Sequence, residues 1–232
     1  AQIAMLAYAD LYSQSPPGPV KEFARGRMLA TAEAIVERWP TSTEAGDTWL
    51  TLIQQAAMVD RDLDAAVAHL ERVPKDSPRR GRAEAIVGDA LWMEWVRAMQ
   101  AEPADRPDAK ELDELLARAE ALLASGVKRL AAEGKVDASL VAAQYSLARI
   151  YIEQNRPEEA VKVLDEPNVG LVVLAGKGNL PGAAQGFESA IHKTALQAYV
   201  AAQELDKAAI AMDALEKSVA AGNKLFGAAI LR

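Results

Sequence analysis

The feature that most constrains this chain is the spacing of its apolar residues. Between Ala109 and Ala132 they fall at Leu112, Leu115, Leu116, Ala119, Leu122, Leu123, Val127 and Leu130. Steps of three and four place them all on one face of an α-helix, while Asp113, Glu114, Arg118, Glu120 and Lys128 occupy the opposite face. The pattern returns at Leu140, Ala143, Leu147, Ile150 and Tyr151, and again at Ala208, Ala209, Met212 and Leu215. A chain built of such stripes must bury each one against another helix. Composition points the same way: half of the residues are apolar, and Ala and Leu, strong helix formers, dominate them.

Local punctuation divides the stripes. Thr41 with Glu44 reads as a capping box, and Asp137 as an N-cap. Pro157 with Glu158 and Glu159 suits a first helical turn, where a missing N–H costs nothing and the helix dipole favours acids. Pro40, Pro74, Pro78 and Pro167 read as stops. The spacing predicts helices over 2–13, 19–38, 44–59, 63–73, 79–101, 107–133, 138–154, 157–165, 183–203 and 205–220, with another beginning near Lys224. Short connections predict antiparallel hairpins.

Tyr145, Leu147, Ala148 and Tyr151, followed by Pro157, Ala160, Val161 and Leu164, resemble the tetratricopeptide repeat. Two further copies run through Ile53, Gln54, Ala57, Ala65, Ala66, Val67 and Leu70, and through Ala195, Leu196, Tyr199, Ala208, Ala209 and Met212. A partial copy holds Val87, Gly88, Leu91 and Trp92, and Gly88 lies 34 residues after Gln54, the family period. The likeness covers most of 42–220. It implies one all-α domain over 1–232, a right-handed α-solenoid of about five antiparallel helical hairpins. The repeats would be 2–40, 42–76, 79–134, 138–167 and 182–220, with an insertion at 166–181. The long intervals from Gly88 to Ala148 and from Ala148 to Leu196 depart from the family period. Degenerate repeats of this kind, and the junction Glu37-Arg38-Trp39-Pro40-Thr41-Ser42, look like those of bacterial cell-envelope proteins. That likeness implies a periplasmic or membrane-tethered location.

In this family the first helices of successive repeats line a concave groove that holds peptides. Carried onto this sequence, the groove residues are Thr51, Gln55, Met58, Asp89, Trp92, Tyr145, Arg149, Ile152, Lys193, Gln197 and Val200. The implied function is a protein-interaction scaffold whose partner is a protein or peptide. The basic set of the family's carboxylate-clamp variety has no consistent counterpart here. A self-association module is the alternative, motivated by Leu225, Phe226, Ile230 and Leu231, which lack the polar outer face of a capping helix. A helical enzyme would need a deep pocket of convergent ionisable groups.

Other chemistries are weighed against the residues and fall away. A net charge of −7 does not suit a phosphate-tracking surface; Arg79, Arg80 and Arg82 read as decoration of a helix start, so no nucleic-acid partner is expected. Without cysteine there is no thiol nucleophile or zinc–thiolate site. No run reaches the roughly 20 apolar residues of a membrane span. The chain begins at Ala1 rather than methionine, as a truncated or processed form would, so a targeting segment could have been removed. The stretch Val169–Gly182 imitates a strand feeding a phosphate loop, but Lys177 precedes Gly178 where that loop needs Ser or Thr; a short buried helix or extended connector is the better reading. His69 and His192 read as helix-face residues without ligand partners, and Glu94 as pointing outward beside packed Trp92 and Trp95. No catalytic residue, metal site or cofactor is expected.

Overall fold

The computed structural model describes residues 1–40, 42–182 and 186–230, with side chains described as far as Ser218. Among the described residues the chain is helical and contains no strand. The helices are α1 (Gln2–Gln14), α2 (Pro19–Arg38), α3 (Thr43–Gln54), α4 (Leu63–Arg72), α5 (Arg80–Gln100), α6 (Ala109–Ala132), α7 (Ala138–Glu153), α8 (Pro157–Leu164), α9 (Leu171–Gly176), α10 (Phe187–Ala201) and α11 (Leu205–Ile230).

Their ends follow the expected punctuation, with informative exceptions. Asp137 and Asp108 accept from the backbone N–H groups of Leu140 and Glu111 at 2.9 and 2.8 Å, so each satisfies an orphan amide. Ser42 caps α3 by accepting from Ala45 N–H at 3.1 Å; Thr41, the expected cap, lies outside the described residues, as do 183–185 of the helix expected from 183. The stretch after Asp165 is neither strand nor phosphate loop: Leu171–Gly176 form a short helix that buries Leu171, Leu174 and Ala175. The break expected before Lys224 is absent, since α11 continues to Ile230.

Three turns share one backbone geometry. Arg61, Asn155 and Gln203 adopt left-handed φ of 55°, 55° and 60°. After each, the next N–H reaches back to a carbonyl of the preceding helix: Arg156 to Tyr151 at 2.8 Å and Glu204 to Tyr199 at 2.9 Å. The Asp62 N–H reaches Ala56 instead, one residue further back, because Gln55–Asp60 form a π-helical turn that adds a residue to the ladder. Five residues after each left-handed residue comes a buried alanine, namely Ala66, Ala160 and Ala208. Helix-entry packing is thus repeated with the turn.

Every helix packs on its sequence neighbour, and α3–α5, α5–α7 and α7–α10 also touch. Contacts between α5 and α6 pair Gly81 with Arg129 and Gly88 with Leu123, so the two run antiparallel. Their backbones nearly meet: a Cβ on Gly126 would stand 2.9 Å from Ala85 N and from Gly81 O. Asp89–Ser146 and Trp92–Arg149 are both offset by 57 residues, so α5 and α7 run parallel. That offset is long because α5 and α6 are 21 and 24 residues long.

Two apolar clusters fill the interior, and α7 is their shared wall. Leu140, Ala143, Leu147 and Ile150 join the cluster that reaches back to Met5, whereas Val141 and Ala148 join the one that reaches Ala211. One charged knot locks α4 to α5 and α6. Buried Glu84 accepts from Arg80 Nε at 2.8 Å and Ser125 Oγ at 2.7 Å and pairs with Arg129 at 3.2 Å. Arg80 also donates to the carbonyls of Leu70 and Val73 at 2.7 and 2.8 Å. The arginines at this helix start are therefore structural fasteners: Arg79 bonds Asp47 at 2.6 Å, and Arg82 alone is simply exposed.

Candidate functional site

The contacts α3–α5, α5–α7 and α7–α10 set four helices side by side. What this strip offers depends on which side chains the packing leaves open. At its α3 end the widened turn carries Met58 and Val59 outward, 65% and 52% exposed. The same turn folds Gln55 inward, where its Nε2 donates to Asp60 Oδ1 at 3.1 Å and to Tyr12 Oη at 3.5 Å. Asp60 in turn accepts from Arg25 at 2.6 Å. Gln55 therefore ties the turn to α1 and α2 and is buried away from any partner. Thr51 is half-buried and spends its hydroxyl on the Asp47 carbonyl at 3.1 Å.

The middle of the strip is the most organised. Asp89 of α5 accepts from Ser146 Oγ of α7 at 2.5 Å. Burial raises its pKa above the ordinary carboxylate value, against the opposing pull of the Ser146 hydrogen bond and the Arg149 charge. Trp92 is buried and stacks on Trp95 with ring centroids 5.1 Å apart. The Arg149 guanidinium lies over both Trp92 and Tyr145, 5.3 and 5.7 Å from their centroids. Tyr145 meets Phe187 of α10 edge-on at 5.0 Å. The strip thus joins Asp89, Trp92, Tyr145 and Arg149 across α5 and α7.

Elsewhere the expected set spreads out. Met58 and Asp89 line one cavity of about 210 Å³, together with Leu63, Ile86 and Met93 and the charged side chains of Arg61, Glu94 and Arg97. Ile152 is half-buried against the second apolar cluster. Lys193, Gln197 and Val200 are exposed on α10. Sequence reading passed over Met93, Ser146 and Phe187. Met93, a large apolar residue 48% exposed beside Trp92, belongs to no helical stripe, and Ser146 and Phe187 gain their meaning only from partners on other helices.

Candidate chemistry outside the strip resolves into packing. His69 sits against Trp49 with ring centroids 5.8 Å apart, and burial, aided by Arg72, lowers its pKa. His192 does have a carboxylate one turn away, since its Nε2 stands 3.6 Å from Glu188; the expectation that it lacked one missed this four-residue step. Tyr199 donates to Asp165, which also accepts from Lys207 Nζ at 2.9 Å. Burial first, and then the bond to Asp165, pushes the Tyr199 phenol well above its ordinary pKa, so it stays protonated and locks α8 to α10 and α11. Glu94 pairs with Arg97 one turn on. Among the described residues no group of three His, Asp or Glu could hold a metal ion, and no helix is long and apolar enough to cross a membrane.

The chain matches no protein-family model, no curated protein and no solved structure.

Proposed function

We propose that this chain is a protein-interaction scaffold of tetratricopeptide type, a right-handed solenoid of helical hairpins that binds a peptide segment of a partner along the α3–α5–α7–α10 strip. The observation that carries this reading is the parallel placement of α5 and α7, with half-exposed Asp89, Tyr145 and Arg149 held between them. Such a surface is pre-organised: ring contacts and the Ser146 hydroxyl hold its side chains, so a ligand loses little of its binding energy to ordering them. The repeated left-handed turns and the buried alanines that follow them support the solenoid.

The test is site-specific photocrosslinking in an extract of the native cell. A crosslinker at Met93 or Gln197 should capture a partner that one at Glu114, exposed on α6, does not. Capture should fall when Tyr145→Ala and Arg149→Ala are combined. Equal capture from α6, or capture indifferent to the double substitution, contradicts the reading.

A second reading, self-association, is favoured by Leu205, Ile210 and Met212, which stand 70%, 69% and 46% exposed on α11. The side chains of Leu225–Leu231 lie outside the described set. Sedimentation equilibrium of the chain and of its Ile210→Lys variant decides it: a monomer in both cases removes the oligomer.

A further inference from the structure

Six arginines are half-buried among the described residues: Arg25, Arg79, Arg80, Arg129, Arg149 and Arg156. Five are satisfied by carboxylates, Arg25 by Asp60 at 2.6 Å, Arg79 by Asp47 at 2.6 Å, Arg80 and Arg129 by Glu84 at 2.8 and 3.2 Å, and Arg156 by Glu120 at 2.7 Å. Arg149 has no hydrogen bond or ion pair among the described residues. Asp89 is within electrostatic reach of Arg149 but is engaged by Ser146 at 2.5 Å. The guanidinium lies over the Trp92 and Tyr145 rings, and none of its N–H groups meets an acceptor among the described residues. Trp95 and Phe187 brace the two rings from behind. The side chain is fixed, part-desolvated and short of an acceptor.

We propose, resting on the scaffold reading above, that Arg149 is the carboxylate-binding residue of the strip and takes an acidic side chain of an extended partner peptide. The neighbouring apolar side chain of that peptide packs on the apolar part of the cavity, Met58, Leu63, Ile86 and Met93, while Arg61, Glu94 and Arg97 supply the rest of its lining. Asp89 lines that cavity and also feels the Arg149 charge, so the apolar and anionic subsites adjoin. An internal acid fits better than a chain end. Arg149 lies mid-strip, with the cavity toward α3 and exposed Lys193 and Gln197 on α10 beyond it, so the peptide continues past it both ways.

The test uses amidated, acetylated ten-residue Gly/Ser host peptides with a Leu-x-Glu centre, beside Leu-x-Gln and Leu-x-Lys versions and one ending in a free carboxylate at the Glu position. Binding is followed by NMR at the Arg149 Nε–Hε and Met93 methyl resonances, and the affinity by titration. The Glu peptide should shift both signals and bind about tenfold more tightly than the Gln peptide, a factor equal to about 1.4 kcal/mol. Arg149→Gln should erase that preference, and Arg149→Lys, which keeps charge but loses the fork, should restore only part of it. Asp89→Asn should tighten the Glu peptide by removing a competing anion while keeping an acceptor for Ser146. Equal binding of Glu and Gln peptides, a preference for Lys lost in Asp89→Asn, or tightest binding of the free-carboxylate peptide each overturns the proposal. If Met93 shifts without a Glu preference, only this proposal fails; if neither signal moves with any peptide, the groove reading fails with it.

Discussion

Gly126 and Gly26 allow the same substitution to be predicted with opposite signs. In Gly126→Ala the new methyl would stand 2.9 Å from Ala85 N and from Gly81 O and 3.3 Å from Ala85 Cα. All three are backbone atoms of α5, so relief requires the α5–α6 seam to open by roughly 0.5 Å toward ordinary contact distance. Overpacking of this kind costs about 1–3 kcal/mol, and the better helix propensity of alanine offsets at most about 1 kcal/mol. Because all three opposing atoms are backbone, the cost falls in the upper part of that range, about 2–3 kcal/mol, and the net loss is about 1–2 kcal/mol. Gly26 lies within α2, exposed, with nothing within 4 Å of the added carbon. There only propensity and unfolded-state entropy act, and Gly26→Ala should gain about 0.5–1 kcal/mol. Urea unfolding followed by circular dichroism reads both. At a slope of about 2 kcal/mol per molar, the midpoint should fall by about 0.5–1 M in the first variant and rise by about 0.3 M in the second. An unchanged or raised midpoint for Gly126→Ala would refute the close approach of α5 and α6.

Glu84→Gln leaves Arg80 and Arg129 without their shared anion in a buried knot, and should destabilise by about 3 kcal/mol in the same unfolding assay. Asp137→Ala removes the acceptor for the Leu140 amide and should cost about 1 kcal/mol, with amide exchange quickening in the first turn of α7. His69 has its folded pKa lowered from 6.5, so the unfolded chain takes up a proton first as pH falls. Its contribution is therefore present above about pH 6.5 and lost below it, and a His69→Gln variant should show a flatter decline of stability there. Gln203→Gly relieves a left-handed residue with a side chain and should raise the stability slightly, by roughly 0.5–1 kcal/mol in the same unfolding assay.

What the sequence made legible is local. Asp137 and Pro157 mark helix starts because capping and proline chemistry act within one turn, and the apolar steps along 109–132 name the face of α6 that is buried. Three things were out of reach because they depend on distant partners. Gly88 could be read as a small packing residue, but its counterparts Ala119 and Leu123 declare themselves only when α6 folds back. Gln55 reads as an open groove residue on a regular helix; the π-helical turn rotates it inward to Asp60 and Tyr12. Arg149 and Trp92 could be named as groove residues separately, while the stacking that joins them, and buries Trp92, is set by the register of α5 against α7. Gln54, assigned to a small-residue position, is exposed at the end of α3.

The account depends on α5 and α7 lying side by side in register, and the absence of cysteine from the chain makes this directly measurable. Asp89→Cys and Ser146→Cys in one molecule replace two side chains now joined by a 2.5 Å hydrogen bond. Mild oxidation should close an intramolecular disulfide between them, seen as a mobility shift reversed by reductant, while Glu114→Cys with Gln197→Cys, on helices that do not touch, should stay reduced. No bridge between positions 89 and 146 in the folded protein would contradict the α5–α7 register and the binding strip built on it.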